Sequence, residues 1–235
     1  LIFLAHPSFL GQQSMPRFAN MLADGMLKRG HSVDIWSPKA RFYKLGFGQA
    51  LRKWLGYVDQ YIVFPQEVRL RARRCPPDTL FVFTDQALGP WVPLLVNRPH
   101  VIHCHDLMAL RSALGEIKEN PTSWTGRQYQ ELIRRGFSKG KHFISVSQKT
   151  REDLHQYLSG KPASSDVVYN GFHQPFSPHE PLSARTLFGN RINLDLTSGY
   201  ILHVGGNPWY KNRSGVIEIY DAWRSTNSHK LPLLM

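Results

Sequence analysis

The chain of 235 residues is 42% hydrophobic and carries a net charge of +12, which excludes a disordered chain and leaves room for one large domain or two modest ones. Its two cysteines, Cys75 and Cys104, lie far apart in no metal-ligand spacing, which argues against a disulfide framework and fits a reducing cytosol, and neither a signal peptide nor an apolar run of the roughly 20 residues that span a bilayer is visible. The positive field favours anionic partners: nucleotides, phospholipid surfaces or nucleic acid.

Leu1 to Ala5 is a short apolar run that reads as a buried strand. After the loop HPSFLGQQS, Ser14 is placed to cap a helix with Pro16 in its first turn. Met15, Phe18, Ala19, Leu22, Ala23 and Met26 then recur at helical spacing. Lys28 and Arg29 suit the C-terminal end of the helix dipole, and Gly30 stops the helix. Ser32 to Trp36 is a second strand, so the chain opens β-α-β, the unit of a parallel, doubly wound sheet.

Residues 41–74 interrupt this rhythm. Phe42, Tyr43, Leu45, Phe47, Leu51, Trp54, Leu55 and Tyr57 are mixed with Arg41, Lys44, Arg52 and Lys53, and Arg69, Arg71, Arg73 and Arg74 follow. Gly46, Gly48 and Gly56 divide the segment into two short helices. Two readings stay open: the aromatics pack on the sheet while the arginines coat the surface, or a basic helix with an aromatic face lies on an anionic membrane. Nucleic acid is not expected as a partner.

The α/β pattern then resumes. Leu80 to Thr84, Val101 to His105, His142 to Val146 and Val167 to Tyr169 read as strands, with helices over Trp124 to Phe137 and from a Ser147 cap to Leu158, ended by Gly160. Residues 1–175 thus form a Rossmann-like domain. Gln174 to Pro181 holds three prolines in eight residues and marks a boundary. Residues 176–198 are a linker with a short helix near Leu182 to Phe188. Residues 199–235 open a second α/β domain with a strand at Tyr200 to Val204, a helix over Ser214 to Arg224 and a second strand in LPLLM. That domain reads as truncated, and the chain is expected to be a piece of a longer protein, inactive by itself.

Ligands of doubly wound sheets sit beyond the carboxyl ends of the strands. Gly11-Gln12-Gln13-Ser14, Thr84-Asp85-Gln86, His105-Asp106-Leu107 and Asn170-Gly171 all fall at such ends. In the second domain an apolar strand runs into Gly205, Gly206 and Asn207, then Lys211, Asn212 and Arg213, then a helix. A glycine turn before a helix start lets backbone N–H groups approach an anion, and the lysine and arginine add full charges, so a diphosphate suits it. His103 and His105 share one face of a strand beside Asp106, with no third ligand at matching spacing. One buried and one cleft histidine is the favoured reading, and no metal is expected. No G-x-S-x-G elbow, C-x-x-C pair or Walker A sequence occurs.

These pieces together resemble the retaining glycosyltransferases of family 4, whose GT-B fold sets two Rossmann-like domains face to face. His105-Asp106-Leu107 resembles the family's HD element, and SVSQKTREDL (Ser145 to Leu154) its strand-plus-helix element. VVYNGFHQPFSP (Val167 to Pro178) resembles the element leading into the second domain, and YILHVGGNPWYKN (Tyr200 to Asn212) that domain's opening. The resemblance implies sugar transfer from a nucleotide-sugar donor to an acceptor hydroxyl with retention, in cell-surface polysaccharide or glycolipid synthesis. No metal or other cofactor is implied. It implies that His105 contacts the donor sugar and that Lys211 stabilises the leaving diphosphate. Gly205, Gly206, Asn207, Asn212, Arg213 and Asn170 would serve the donor, and Gly11, Gln12, Gln13, Asp85 and Asp106 the acceptor cleft.

Three departures stand out. Gly206 occupies a position where many members carry arginine, Gly11 is followed by Gln12 rather than a second glycine, and the family's paired glutamates would fall past Met235. A glycan or lipid-linked acceptor and a cytoplasmic location, peripheral on the inner face of the membrane, complete the expectation. Two alternatives stay open: a basic membrane- or polyanion-binding module with a degenerate transferase half, and a nucleotide-sugar epimerase of the same fold.

Overall fold

Residues 1–11, 13–172, 176–228 and 230–235 are described by the structure, a computed structural model. The chain divides into two units, Leu1–His173 and Gln174–Met235. Gln12, and the Gln174 and Pro175 of the expected boundary, lie outside the described residues.

Unit 1 carries β1 (Ile2–Leu4), α1 (Ser14–Leu27), β2 (Asp34–Trp36), α2 (Gly48–Val58), α3 (Phe64–Ala72) and β3 (Phe81–Phe83). It continues with β4 (His100–Cys104), α4 (Met108–Ala113), α5 (Trp124–Phe137), β5 (His142–Ser145), α6 (Gln148–Tyr157) and β6 (Ser164–Val167). The strands pair in the order β2-β1-β3-β4-β5-β6, every pair parallel. The α/β reading with a Rossmann-like parallel sheet therefore holds. The strand order reverses at β1, which has β2 on one side and β3 on the other. This is the switch point where such sheets bind ligands.

Parallel strands need both faces covered, and these have them. On one face Leu4, Phe81, Phe83, Ile102, Cys104 and Phe143 pack with Phe64 and Val68 of α3, Ile133 and Phe137 of α5 and Leu154 of α6. On the other, Phe3 and Val82 meet Ala23 of α1. Gly136 of α5 and Gly89, in the 3-10 turn Gln86–Leu94, touch backbone to backbone: a Cβ at Gly136 would stand 2.2 Å from the Gly89 carbonyl oxygen.

Three local expectations are corrected. Ser14 is the first helical residue of α1, and Gln13 holds the cap position without a side-chain bond. Residues 48–72 form one continuous helical run, with a π-helical turn at Asp59–Val63 joining α2 to α3, instead of two separated helices. Gly56 does not break the run; its bare Cα lets the Phe9 and Tyr43 rings approach, where a Cβ would meet them at 3.3 and 3.2 Å. Buried Asp59 fixes the entry to the run by accepting hydrogen bonds from the N–H groups of Arg41, Phe42 and Tyr43. Finally, β6 is Ser164–Val167, three residues earlier than the apolar Val167 to Tyr169, so Asn170 lies beyond the strand end.

Unit 2 has α7 (Pro181–Ile192), β7 (Ile201–Leu202), α8 (Arg213–Thr226) and β8 (Leu233–Leu234), with β7 and β8 paired in parallel.

Candidate active site

The carboxyl ends of β1, β3 and β4 bring together side chains far apart in sequence. Leu4 pairs with Phe83, so the same register sets residue 6 beside residue 85. His6 Nε2 donates to Asp85 Oδ2 at 2.9 Å, and the two side chains are 11% and 10% exposed. Asp85 has extended backbone and caps the turn that follows, its Oδ1 accepting from the Ala87 N–H at 3.0 Å. Both carboxylate oxygens are therefore committed, and the carboxylate fixes the histidine tautomer with hydrogen on Nε2.

His105, at the end of β4, is held at three points. Its N–H donates to Gln86 Oε1 at 3.0 Å, its carbonyl accepts from Thr150 Oγ1 at 3.1 Å, and its Nε2 donates to the Thr84 carbonyl at 3.0 Å. Gln86 also donates to the Asp106 carbonyl. His103 and His105 lie on the α1 side of the sheet, edge-on to Phe18 at 5.3 and 4.5 Å between ring centroids. Burial, reinforced by the neighbouring His105, lowers the His103 imidazole from its ordinary 6.5 to about 4, so it stays neutral. The Asp106 carboxylate is exposed and accepts from the Met108 N–H at the start of α4.

Gly11 has φ +71 and closes the 3-10 turn Ser8–Leu10, its N–H donating to the Ser8 carbonyl. Phe9 of that turn packs against Tyr43, with ring centroids 4.7 Å apart and planes tilted by 32°, which ties the loop after β1 to the basic segment. Gln13 and Asn170 are exposed, and Gln12 lies outside the described residues.

Between α2 and α5 a cavity of about 370 Å³ is lined by Lys53, Trp54, Tyr57, Tyr61, Tyr129 and Leu132, among others. The Tyr61 and Tyr129 hydroxyls bond to each other at 2.6 Å, and burial pushes both phenols above their ordinary range.

In unit 2, the Lys211 side chain lies over Gly205, where an added Cβ would meet its Cδ at 3.4 Å. Its ammonium sits 5.7 Å from the Tyr210 ring centroid. Asn212 adopts a left-handed backbone (φ 46) and caps α8, its Oδ1 accepting from the Gly215 N–H at 3.2 Å. Gly205, Gly206, Asn207, Lys211 and Asn212 are exposed, and Arg213 is half-buried in the first turn of α8. The turn thus presents glycine backbone, a lysine and an arginine next to a helix start.

His6 escaped the sequence reading. Its signal was a histidine two residues past the first strand and an aspartate at the same offset past Phe81 to Phe83. The match has meaning once β1 and β3 are known to be neighbours.

The fold is a doubly wound parallel α/β sheet with polar side chains gathered at its switch point, the place where such sheets bind ligands. The family model of Glycosyltransferase Family 4 matches residues 15–173, and the chain belongs to that family. The matched span contains Asp85, His105, Asp106 and Asn170; His6 and Gly11 precede it, and the Lys211 turn follows it. No curated protein matches the sequence. Among the described residues, no group of three or more His, Cys, Asp or Glu side chains is disposed to hold a metal ion, and no helix is long and apolar enough to cross a membrane.

Proposed function

We propose that the protein transfers a sugar from a nucleotide-sugar donor to an acceptor hydroxyl, with retention of configuration, in the synthesis of a cell-surface polysaccharide or glycolipid. Membership of the glycosyltransferase family supports the reaction class. The observation that carries the site is the fixed cluster His6, Asp85 and His105 at the carboxyl edge of the sheet. In this reading the edge of unit 1, with Gly11, Gln12, Gln13, Asp85 and Asp106, takes the acceptor, and His105 contacts the donor sugar. Asn170 and the Gly205 to Arg213 turn hold the donor. Lys211 and Arg213 carry the charge of the leaving diphosphate, so the chemistry calls for no metal.

The basic segment extends the proposal to a membrane face. Leu45, Phe47 and Trp54 are 64, 89 and 64% exposed beside exposed Lys44, Arg52 and Lys53. Apolar side chains bedded in a basic surface suit the inner, anionic face of a membrane, and hence a lipid-linked acceptor. Sedimentation with anionic vesicles should retain the protein in a salt-sensitive way, and failure to sediment refutes the membrane assignment.

The central test is nucleotide release by the intact protein from a panel of UDP-, GDP- and ADP-sugars. Lys211→Ala should lower turnover by about 10² or more. No release from any donor overturns the transferase reading, while a wild-type rate in Lys211→Ala overturns the lysine's role. Because His6–Asp85 is an acid/base pair, product analysis is part of the test. A sugar epimerised without transfer would favour the epimerase alternative.

A further inference from the structure

We propose that the cavity between α2 and α5 holds the apolar chain of a single-chain lipid phosphate that carries the acceptor, with its phosphate at Lys53 and Tyr57. The inference deepens the lipid-linked acceptor of the transferase reading above and rests on it. The cavity measures about 370 Å³, inside the range of about 300–1,000 Å³ that ligand sites occupy. Lys53, Trp54 and Tyr57 of α2 form one wall, and Gly126, Tyr129 and Leu132 of α5 the other. Tyr61 adds a ring from the π-helical turn Asp59–Val63, an irregularity that recurs at functional sites.

The lining decides between a sugar and a hydrocarbon chain. A sugar brings several hydroxyls, and each one buried without a partner costs binding. Here the Tyr61 and Tyr129 hydroxyls bond to each other at 2.6 Å. The Ser123 hydroxyl accepts from the Gly126 N–H and lies 3.3 Å from Thr125 Oγ1. The rings of Trp54, Tyr57, Tyr61 and Tyr129 pack edge-on or tilted, with centroids 5.8 to 6.1 Å apart. The walls therefore present mainly aromatic carbon. Two polar groups stay uncommitted: among the described residues, neither the Lys53 ammonium nor the Tyr57 hydroxyl has a hydrogen-bond partner. They stand one turn apart on the same face of α2. A cation and a hydroxyl donor beside an apolar slot suit one phosphate on one chain.

The position fits a chain that leaves a membrane and ends at the transfer site. Trp54 lines the cavity, is 64% exposed, and shares the basic segment with exposed Leu45 and Phe47. α5 runs from the carboxyl side of β4 back to the start of β5, so its first turns, which line the cavity, lie beside the carboxyl edge of the sheet. Asp85 of that edge is near enough to add to burial and Tyr57 in raising the Tyr129 phenol. The modest volume admits one chain, which separates this lipid from the two-chain phospholipids of a bilayer.

Calorimetric titration of the intact protein with n-decyl phosphate, kept below its micelle concentration, tests the proposal without turnover. One site per chain is expected, with inorganic phosphate and methyl glucoside at least about tenfold weaker because neither buries a chain. Leu132→Trp fills the cavity from a position that is 49% exposed. It should weaken decyl phosphate and decanol alike by about tenfold at a wild-type melting temperature. Lys53→Met keeps an unbranched stem and loses the charge. It should weaken decyl phosphate by about fivefold and leave decanol within about twofold. Thr125→Trp fills the cavity from the exposed first turn of α5 and takes the place of Leu132→Trp should the latter lower the melting temperature.

Decyl phosphate binding that no filling variant weakens overturns the cavity assignment. Methyl glucoside bound as tightly as decyl phosphate overturns it in favour of a glycan subsite. Equal binding of monomeric dihexanoylphosphatidylglycerol overturns it in favour of the bilayer's own lipids. No binding of decyl phosphate overturns the proposal and leaves intact the transferase reading, which nucleotide release tests separately. Decyl phosphate bound by a protein that releases nucleotide from no donor would overturn the acceptor role together with the transferase reading.

Discussion

Units 1 and 2 use the same device, parallel strands joined through helices, with opposite results for their side chains. In unit 1 six strands are covered on both faces and bury a continuous apolar core. In unit 2 the sheet has two strands, and among the described residues Leu196 is the one apolar side chain that is buried. Leu202, Val204, Ile217 and Ile219 are exposed. A parallel sheet draws its stability from covered faces, so unit 1 can hold polar groups rigidly at its edge. His6, Asp85 and His105 are each fixed by named hydrogen bonds. Lys211 is instead exposed on a turn, against its own neighbours Gly205 and Tyr210. Unit 1 thus holds its polar groups in fixed positions, whereas unit 2 leaves its lysine on an exposed turn.

The contrast is broken most directly through packing in unit 1. A Cβ at Gly136 would press on the Gly89 carbonyl oxygen at 2.2 Å, and one at Gly89 on the Ile133 carbonyl oxygen at 2.3 Å. Neither backbone can yield without moving α5 off the turn that Asp85 caps. Gly136→Ala should destabilise unit 1 by about 3 kcal/mol or more. The measurement is the urea midpoint, followed by the fluorescence of buried Trp36 and Trp91. A midpoint equal to wild type would mean that the close approach does not hold the unit together.

Acid gives the next effect. The His103 imidazole is lowered from 6.5 to about 4, first by burial and then by His105. The unfolded chain takes up the proton more readily, so this contribution is complete above pH 6.5 and lost as pH falls towards 4. Between about pH 7 and about pH 5 it should cost unit 1 about 2 kcal/mol. His103→Leu should flatten that limb of the stability profile. An unchanged slope would place the acid sensitivity elsewhere.

The same contrast governs how much could be read from the sequence. Buried parallel strands are continuous apolar runs, so Phe81–Phe83 and His142–Ser145 were legible, and so was the Ser147 cap that accepts from the Thr150 N–H. The edge strand β6 reads SSDV, with little to bury, and the apolar VVY that begins at its last residue, Val167, set the expected strand start three residues too late. Gly56 looked like a helix break because local propensity cannot see the rings of Phe9 and Tyr43 packed against it. The turn Gln86–Leu94 holds two prolines and carries no helical periodicity, yet it seats Asp85 and Gln86. The His6–Asp85 pair spans 79 positions and depends on strand order, which no local pattern encodes. Lys211 was legible as a charge beside glycines, since its position depends on local chain alone.

The smallest effect on stability, and the sharpest on the comparison, is expected from Gly205→Ala. A methyl there would meet Lys211 Cδ at 3.4 Å, an ordinary contact with a flexible side chain, and Gly205 does not require a left-handed backbone. The melting transition should therefore move by less than about 0.5 kcal/mol. Donor binding should respond differently if the backbone at this turn meets the diphosphate, because the methyl would hold the anion away from the N–H groups. Calorimetric titration with UDP and GDP separates the two. Weaker binding by about tenfold at an unchanged melting temperature would mark Gly205 as bare for the ligand's sake, unlike Gly136, which is bare for the fold's. A matching loss of stability would show that unit 2 is more tightly packed than its exposed side chains imply. Unchanged binding would leave Lys211 and Arg213 to hold the diphosphate by charge alone.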